Sequence, residues 1–280
     1  MEKVKYNNIS LYFFLTFLLL LISLSFFYSC GANIFSVDDD IKLGEDIDRE
    51  IKSRPKEFPM LEGNQDVKDY VNRIGKTILN NSTIIEYKNI FPYNFQIIND
   101  TIVNAFCTPG GYIYIYTGLM KFVDNEATLA GVMAHEIAHA EMRHVTQRIT
   151  AAYGVNILLS IVLGGNPSAF ADIVANLFVG LGFLANSRAD EEESDNLSIR
   201  YLMTTKYYPG AILFFFDKIH EEQKKKGEVP GALDRLLSTH PLPNDRVENV
   251  KKQLKDLKIK QEPTKGVFTE EYQIIKQKLR

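Results

Sequence analysis

The sequence predicts an α+β domain, mostly helical, with a small antiparallel sheet beside one long helix. Three observations predict it. Runs rich in β-branched and aromatic residues are confined to residues 94–116, helical spacing dominates on both sides of them, and one helical stretch carries two histidines four apart. With 280 residues, 45% of them hydrophobic, the chain can bury one sizeable core.

Residues 1–30 are expected to stand outside that core. Lys3 and Lys5 precede an apolar run over 9–28, the layout of a secretory signal, and at about 20 residues also long enough to span a bilayer. Ser29-Cys30-Gly31 is similar to the lipobox of bacterial lipoproteins, although Phe27 and Tyr28 replace the usual leucine and small residue. On that reading Cys30 becomes the lipidated first residue of the mature chain; the alternative is an uncleaved anchor. Both readings expect an exported, membrane-tethered protein. Residues 31–40, ending in Asp38-Asp39-Asp40, read as a polar tether, which leaves 41–280 as a single domain.

Helices are expected over 41–53 and 66–81, the second with Val67, Tyr70, Val71, Ile74 and Ile78 on one face. The pattern then turns to strands over 94–98 and 101–106, split by Asn99-Asp100 as a hairpin turn. Thr108-Pro109-Gly110-Gly111 turns the chain into a third strand over 112–116. Residues 126–145 read as one long amphipathic helix. Residues 151–185 are apolar and broken at 164–168; each half, roughly 22–26 Å of helix, is short for a ~30 Å bilayer core. A buried or pocket-lining helical hairpin is therefore expected there, with further helices over 186–205, 209–224 and 243–257.

The formal charge of -3 gives no clustered basic excess for a phosphate backbone, so nucleic acid is not an expected partner. Cys30 and Cys107, the two cysteines, can build neither a disulfide framework nor a cysteine zinc site once Cys30 is acylated.

Ala134-His135-Glu136-Ile137-Ala138-His139 carries the chemistry. Residues four apart stack on one helix face, so His135 and His139 can reach a single ion. A catalytic Zn2+ takes three protein ligands and keeps a position for water. Glu136, turned away from the ion, can take that water's proton, while zinc acidifies the water and polarises a peptide carbonyl. One zinc per chain is expected. For the third ligand, a histidine six residues beyond His139 is ruled out because Val145 stands there, and His144 lies on another face. A glutamate followed four residues later by an aspartate fits instead: Glu191 as ligand, with Asp195 orienting a ligand histidine. Asp190 and Glu192 read as a solvated helix face.

Four stretches together resemble metallopeptidase family 48. They are the strand and turn from Asn104-Ala105-Phe106-Cys107 to Leu119, the histidine helix through Arg143-His144, Ser187-Arg188-Ala189-Asp190-Glu191 through Asp195, and Thr239-His240-Pro241 with Arg246. Ser194 stands where the family usually has alanine. The resemblance implies a zincin-like fold of the gluzincin type, an endopeptidase acting on proteins or peptides, Glu136 as base and Glu191 as zinc ligand. It further implies that His240 and Arg246 bind substrate or stabilise the oxyanion. The likeness is nearest to the compact, LoiP-like lipoprotein branch, since multispan segments and a helical-repeat tail are missing and only about thirty residues follow Val250. That branch implies the periplasmic face of a bacterial envelope and misfolded or envelope proteins as substrates. Substrate is expected to add as a strand along Tyr112, Ile113, Tyr114 and Ile115. The competing reading is a protease-fold chaperone or scaffold of low activity, with His240 filling the open zinc position.

Overall fold

The structure is a computed structural model that describes residues 33–153, 185–226, 231–242, 244–263 and 265–279. The hairpin expected over 151–185 lies almost wholly outside the described residues. Among the described residues no helix is long and apolar enough to cross a membrane.

Helix α1 (Val37–Ser53) begins inside the stretch read as a tether. Its first turn holds the three aspartates, and Ser36 and Asp39 cap it reciprocally, each side chain taking the other's backbone N–H. Helix α2 (Gln65–Asn81) buries Val67, Tyr70, Val71, Ile74 and Ile78, the face the periodicity selects.

Strands β1 (Asn94–Ile98), β2 (Ala105–Thr108) and β3 (Tyr112–Tyr116) form one sheet in the order β1-β3-β2. The sheet is mixed, which corrects the antiparallel expectation. β3 runs antiparallel to β2, with Phe106 opposite Tyr114, but parallel to β1, with Ile97 opposite Ile115. Asn99-Asp100 makes no hairpin. Asn99 N–H bonds to the Pro59 carbonyl and the Asp100 side chain turns back on Ile102 N–H, which carries the chain away from β1. The tight reversal is at Pro109-Gly110-Gly111, where φ values of 72° and 84° at the two glycines suit residues without a Cβ. A side chain at Gly111 would meet the Tyr93 ring at 2.8 Å.

Short α3 (Thr117–Phe122) leads to α4 (Glu126–Glu141), where a second correction arises. Every residue of α4 is buried, so the helix is central and not amphipathic. Its neighbours include α2, β2, β3, α6 (Arg188–Leu202) and α7 (Ile212–Lys226). Nor does it run on to Val145: it stops at Met142, Arg143 adopts a left-handed φ of 59°, and α5 (His144–Tyr153) starts afresh. That conformation costs a non-glycine residue roughly 1–2 kcal/mol. It is offset by the Arg143 guanidinium, which bonds to the Asp40 carboxylate and the Phe35 carbonyl. Nearby, Asn33 Nδ2 donates to Thr146 Oγ1 at 2.9 Å and Ile34 N–H to Thr150 Oγ1 at 3.4 Å. The N-terminal segment is thus bound along α5.

The other end of α4 is fixed by Glu126, buried between α2 and the turn after α6. Its carboxylate accepts from both Arg73 Nη atoms at 3.0 Å, Tyr207 at 2.6 Å and Tyr70 at 2.5 Å, with Lys206 Nζ at 2.8 Å. Burial would raise its pKa, but these donors outweigh burial and bring it to about 2. Three further helices, α8 (Gly231–Thr239), α9 (Asn244–Asp256) and α10 (Thr269–Lys276), follow among the described residues; α8 and α10 have no counterpart in the sequence reading.

Candidate metal centre

The centre lies where α4 crosses α6 and the end of α8. The His135 and His139 rings meet edge-on, centroids 4.6 Å apart, with their Nε2 atoms 3.0 Å from one another. Glu191 closes the triangle from α6: Oε1 is 3.2 Å from His139 Nε2, and Oε2 is 3.5 Å from His135 Nε2. The backs of both rings are engaged. His135 Nδ1 stands 2.9 Å from Asp195 Oδ1, and His139 Nδ1 stands 2.8 Å from His144 Nδ1. With both rings neutral, a proton on His135 Nδ1 toward Asp195 and one on His139 Nδ1 toward His144 would leave lone pairs on both Nε2 atoms.

Two lone pairs facing each other beside a carboxylate oxygen repel unless a positive charge lies among them. The neighbouring carboxylates favour positive charge at this point. Burial disfavours a charged His135, yet Glu191 and Asp195 draw its pKa up to about 10. His139 is held well below the usual histidine range, by burial and then by the charge on His135. Two imidazole nitrogens and one carboxylate, each fixed from behind, are the donor set of a catalytic zinc. The residues present therefore fit the ion that the spacing predicts.

His240 joins them. One donor atom from each of His135, His139, Glu191 and His240 falls within a group spanning 4.8 Å. Its Nδ1 is 2.9 Å from Glu191 Oε1 and its Nε2 is 3.6 Å from Glu136 Oε1. Arg246 departs from expectation. It is buried, with Nε and Nη2 each donating to Asp195 at 2.8 Å, while Nη1 meets Glu191 Oε2 at 2.5 Å and the Pro241 carbonyl at 2.8 Å. Four of the five N–H donors of this guanidinium are thereby engaged, and its main work is to hold the two acidic side chains in place.

The strand assigned to substrate must also be corrected. Tyr112, Ile113, Tyr114 and Ile115 lie in β3, the middle of the sheet, where β1 and β2 take both sides of the backbone. Among the described residues the edge strand beside the centre is β2. Two clefts flank Glu136 and His240 along it. One, at Ala105, is apolar, with Val132, Phe215, Phe216 and Leu236. The other is lined by Phe106, Cys107, Arg148 and Asn186.

Of the acidic run, Glu191 reaches the centre, Asp190 caps α6 with Ser187, and Glu192 is exposed. Glu193 lies outside the donor group, half exposed, 3.1 Å from His144 Nε2. Asn186, Arg148 and the role of His144 escape sequence reasoning. His144 sits beside Arg143 at the end of the histidine-helix stretch, and that adjacency is its signal; nothing in the local sequence marks the other two.

Comparison with known proteins agrees with this geometry. The family described as Peptidase family M48 matches residues 66–254. The chain is 27% identical over 240 residues to the beta-barrel assembly-enhancing protease of Yersinia pestis, covering 82% of this chain and 46% of that protein. Similarity to the beta-barrel assembly-enhancing protease of Escherichia coli K12 is 29% over 191 residues, 65% of this chain and 38% of that one. With the mitochondrial metalloendopeptidase OMA1 of Arabidopsis thaliana it is 34% over 146 residues, covering 52% and 28%. The chain thus spans less than half the length of these relatives.

Proposed function

The chain belongs to peptidase family M48, and from that premise we propose that it is a zinc-dependent endopeptidase acting on proteins or peptides. The observation that carries the reading is the convergence of His135, His139 and Glu191, with Glu136 on the same helix.

His135, His139 and Glu191 would hold the zinc, which supplies Lewis acidity toward a peptide carbonyl and acidifies water. Glu136 accepts the attacking water's proton on its carboxylate and passes it to the leaving amine. His240 Nε2, beside Glu136, supplies a hydrogen-bond donor across the same cleft. Asp195 and His144 keep the ligand rings in one tautomer, and Arg246 keeps Asp195 and Glu191 in register. An extended substrate pairs its backbone with β2, which among the described residues has a strand neighbour on one side only. The full chain in detergent should degrade casein, stop with a zinc chelator, and recover when zinc is restored. Degradation indifferent to the chelator would remove the metal from the reading.

A second reading rests on His240, whose nitrogen lies inside the donor group. Four protein donors make a closed site of the structural kind, and the protein would then act as a scaffold of low activity. Casein degradation by His240→Ala but not by the wild-type chain would favour it.

The setting belongs to the same proposal. The sequence before residue 31 supports an exported chain tethered at the periplasmic face of a bacterial envelope, by acylated Cys30 or by an uncleaved anchor, with misfolded or envelope proteins as substrates. Mass spectrometry of the mature N-terminus should find an acylated Cys30. An intact 1–30 segment would assign the anchor instead.

A further inference from the structure

We propose that Arg148 forms an acid-selective subsite: the cleft at the Phe106–Cys107 end of β2 receives a carboxylate side chain of the bound peptide. The inference rests on the peptidase reading and adds to it the chemical class of substrate.

Arg148 stands on α5 and points into the cleft that also holds Glu136 and His240. Its Nη1 donates to Asn186 Oδ1, while its Nε is buried without a hydrogen-bond partner. Among the described residues no carboxylate lies within ion-pair distance of it. The contrast with other arginines is direct: Arg73 is matched to Glu126, Arg143 to Asp40, and Arg246 to Asp195 and Glu191. Arg148 as a whole is half-buried, but its Nε is shut off from solvent, and a guanidinium so placed without a counter-ion is costly and ordinarily paired. Burial accordingly weakens its hold on the proton, against the attraction of Asp190, Glu191 and Glu136 at longer range.

Asn186 explains why those carboxylates do not satisfy it. The Asn186 amide stands between the two charges, with Oδ1 on Arg148 and Nδ2 on Glu191 Oε1. Glu191 is thereby reserved for the metal centre, and Arg148 is held with its Nε edge unused. The cleft beside it is narrow and is floored by Phe106 and Cys107 of the edge strand. A peptide laid along β2 projects alternate side chains, so one of them enters this cleft. Guanidinium and carboxylate match in geometry as well as charge.

The test uses the full chain in detergent, loaded with zinc, and a set of fluorogenic peptides differing at one position at a time around the cleaved bond. At one position Asp or Glu should raise kcat/KM about tenfold or more over Gln, the scale of a charged hydrogen bond. Arg148→Gln should reduce that ratio to near unity, Arg148→Lys should retain most of it, and Arg148→Glu should favour Lys at the same position. No acidic preference in the wild-type chain, or one that survives in Arg148→Gln, overturns the proposal. A binding arm separates this from failure of the peptidase reading. Fluorescence anisotropy with Glu136→Gln should show tighter binding of the acidic peptide than of its Gln analogue, lost when Arg148→Gln is added. Equal binding of both peptides overturns the subsite even if nothing is cleaved.

Discussion

Glu136→Gln is expected to keep its zinc and lose casein cleavage by about 10²–10⁴-fold, the range supplied by a positioned acid–base group. Glu136 shares α4 with both ligand histidines but stands outside the donor group they form with Glu191 and His240. Its carboxylate faces His240 Nε2 at 3.6 Å and borders both clefts along β2. Glutamine preserves volume and hydrogen bonding in a buried site while removing the ability to accept a proton. Metal content by mass spectrometry and initial rates on labelled casein measure the two halves separately. Cleavage at the wild-type rate would take Glu136 out of the chemistry, and loss of metal would make it part of the zinc site.

The second large effect is on metal retention. Glu191→Ala should empty the centre, Asp195→Ala should weaken zinc binding about 10–100-fold, and Glu193→Ala should remain near the wild-type chain. Glu191 contacts both ligand histidines, whereas Asp195 touches only the back of His135. Glu193 acts through His144 from a half-exposed position, and exposed contacts contribute at most about 1 kcal/mol. Truncating Glu191 also strips Arg246 and His240 of a partner, so Glu191→Gln, which fills the same space, is needed beside it. Competition with a colorimetric chelator gives the order, and circular dichroism checks the fold. Zinc lost from Glu193→Ala but kept by Glu191→Ala would move the ligand by two residues.

How far the sequence reaches depends on whether a feature is local. The four-residue steps from His135 to His139 and from Glu191 to Asp195 are properties of single helices, and both pairs meet at one centre. The α2 face is legible for the same reason. Partnering is not local: β propensity marks three strands without saying that β3 lies between the other two. Nor does α4 announce its burial on all sides, because a run of Ala, Val, Met and Ile satisfies an amphipathic pattern and a central one alike. The start of α1 was in fact readable, since Ser36 and Asp39 stand at capping-box spacing, but three aspartates in a row resemble a linker. Arg246 and Arg148 show the limit most clearly. Their roles follow from which carboxylates surround them, and the sequence around each arginine does not contain those partners.

Under the proposed acylation of Cys30, the contacts of residues 33–35 with α5 and Arg143 would set how far the catalytic body can stand from a membrane. With acyl chains on Cys30, three peptide steps lead to Asn33, a leash of about 10 Å at full stretch. That leash would end at Asn33 and Ile34, which are held on Thr146 and Thr150, just after the histidine helix. The catalytic body would therefore ride against the lipid surface, and its cleft would patrol a thin juxtamembrane layer. Chains emerging from or returning to the bilayer pass through that layer, whereas proteins diffusing freely beyond it would meet the cleft only by approaching the surface.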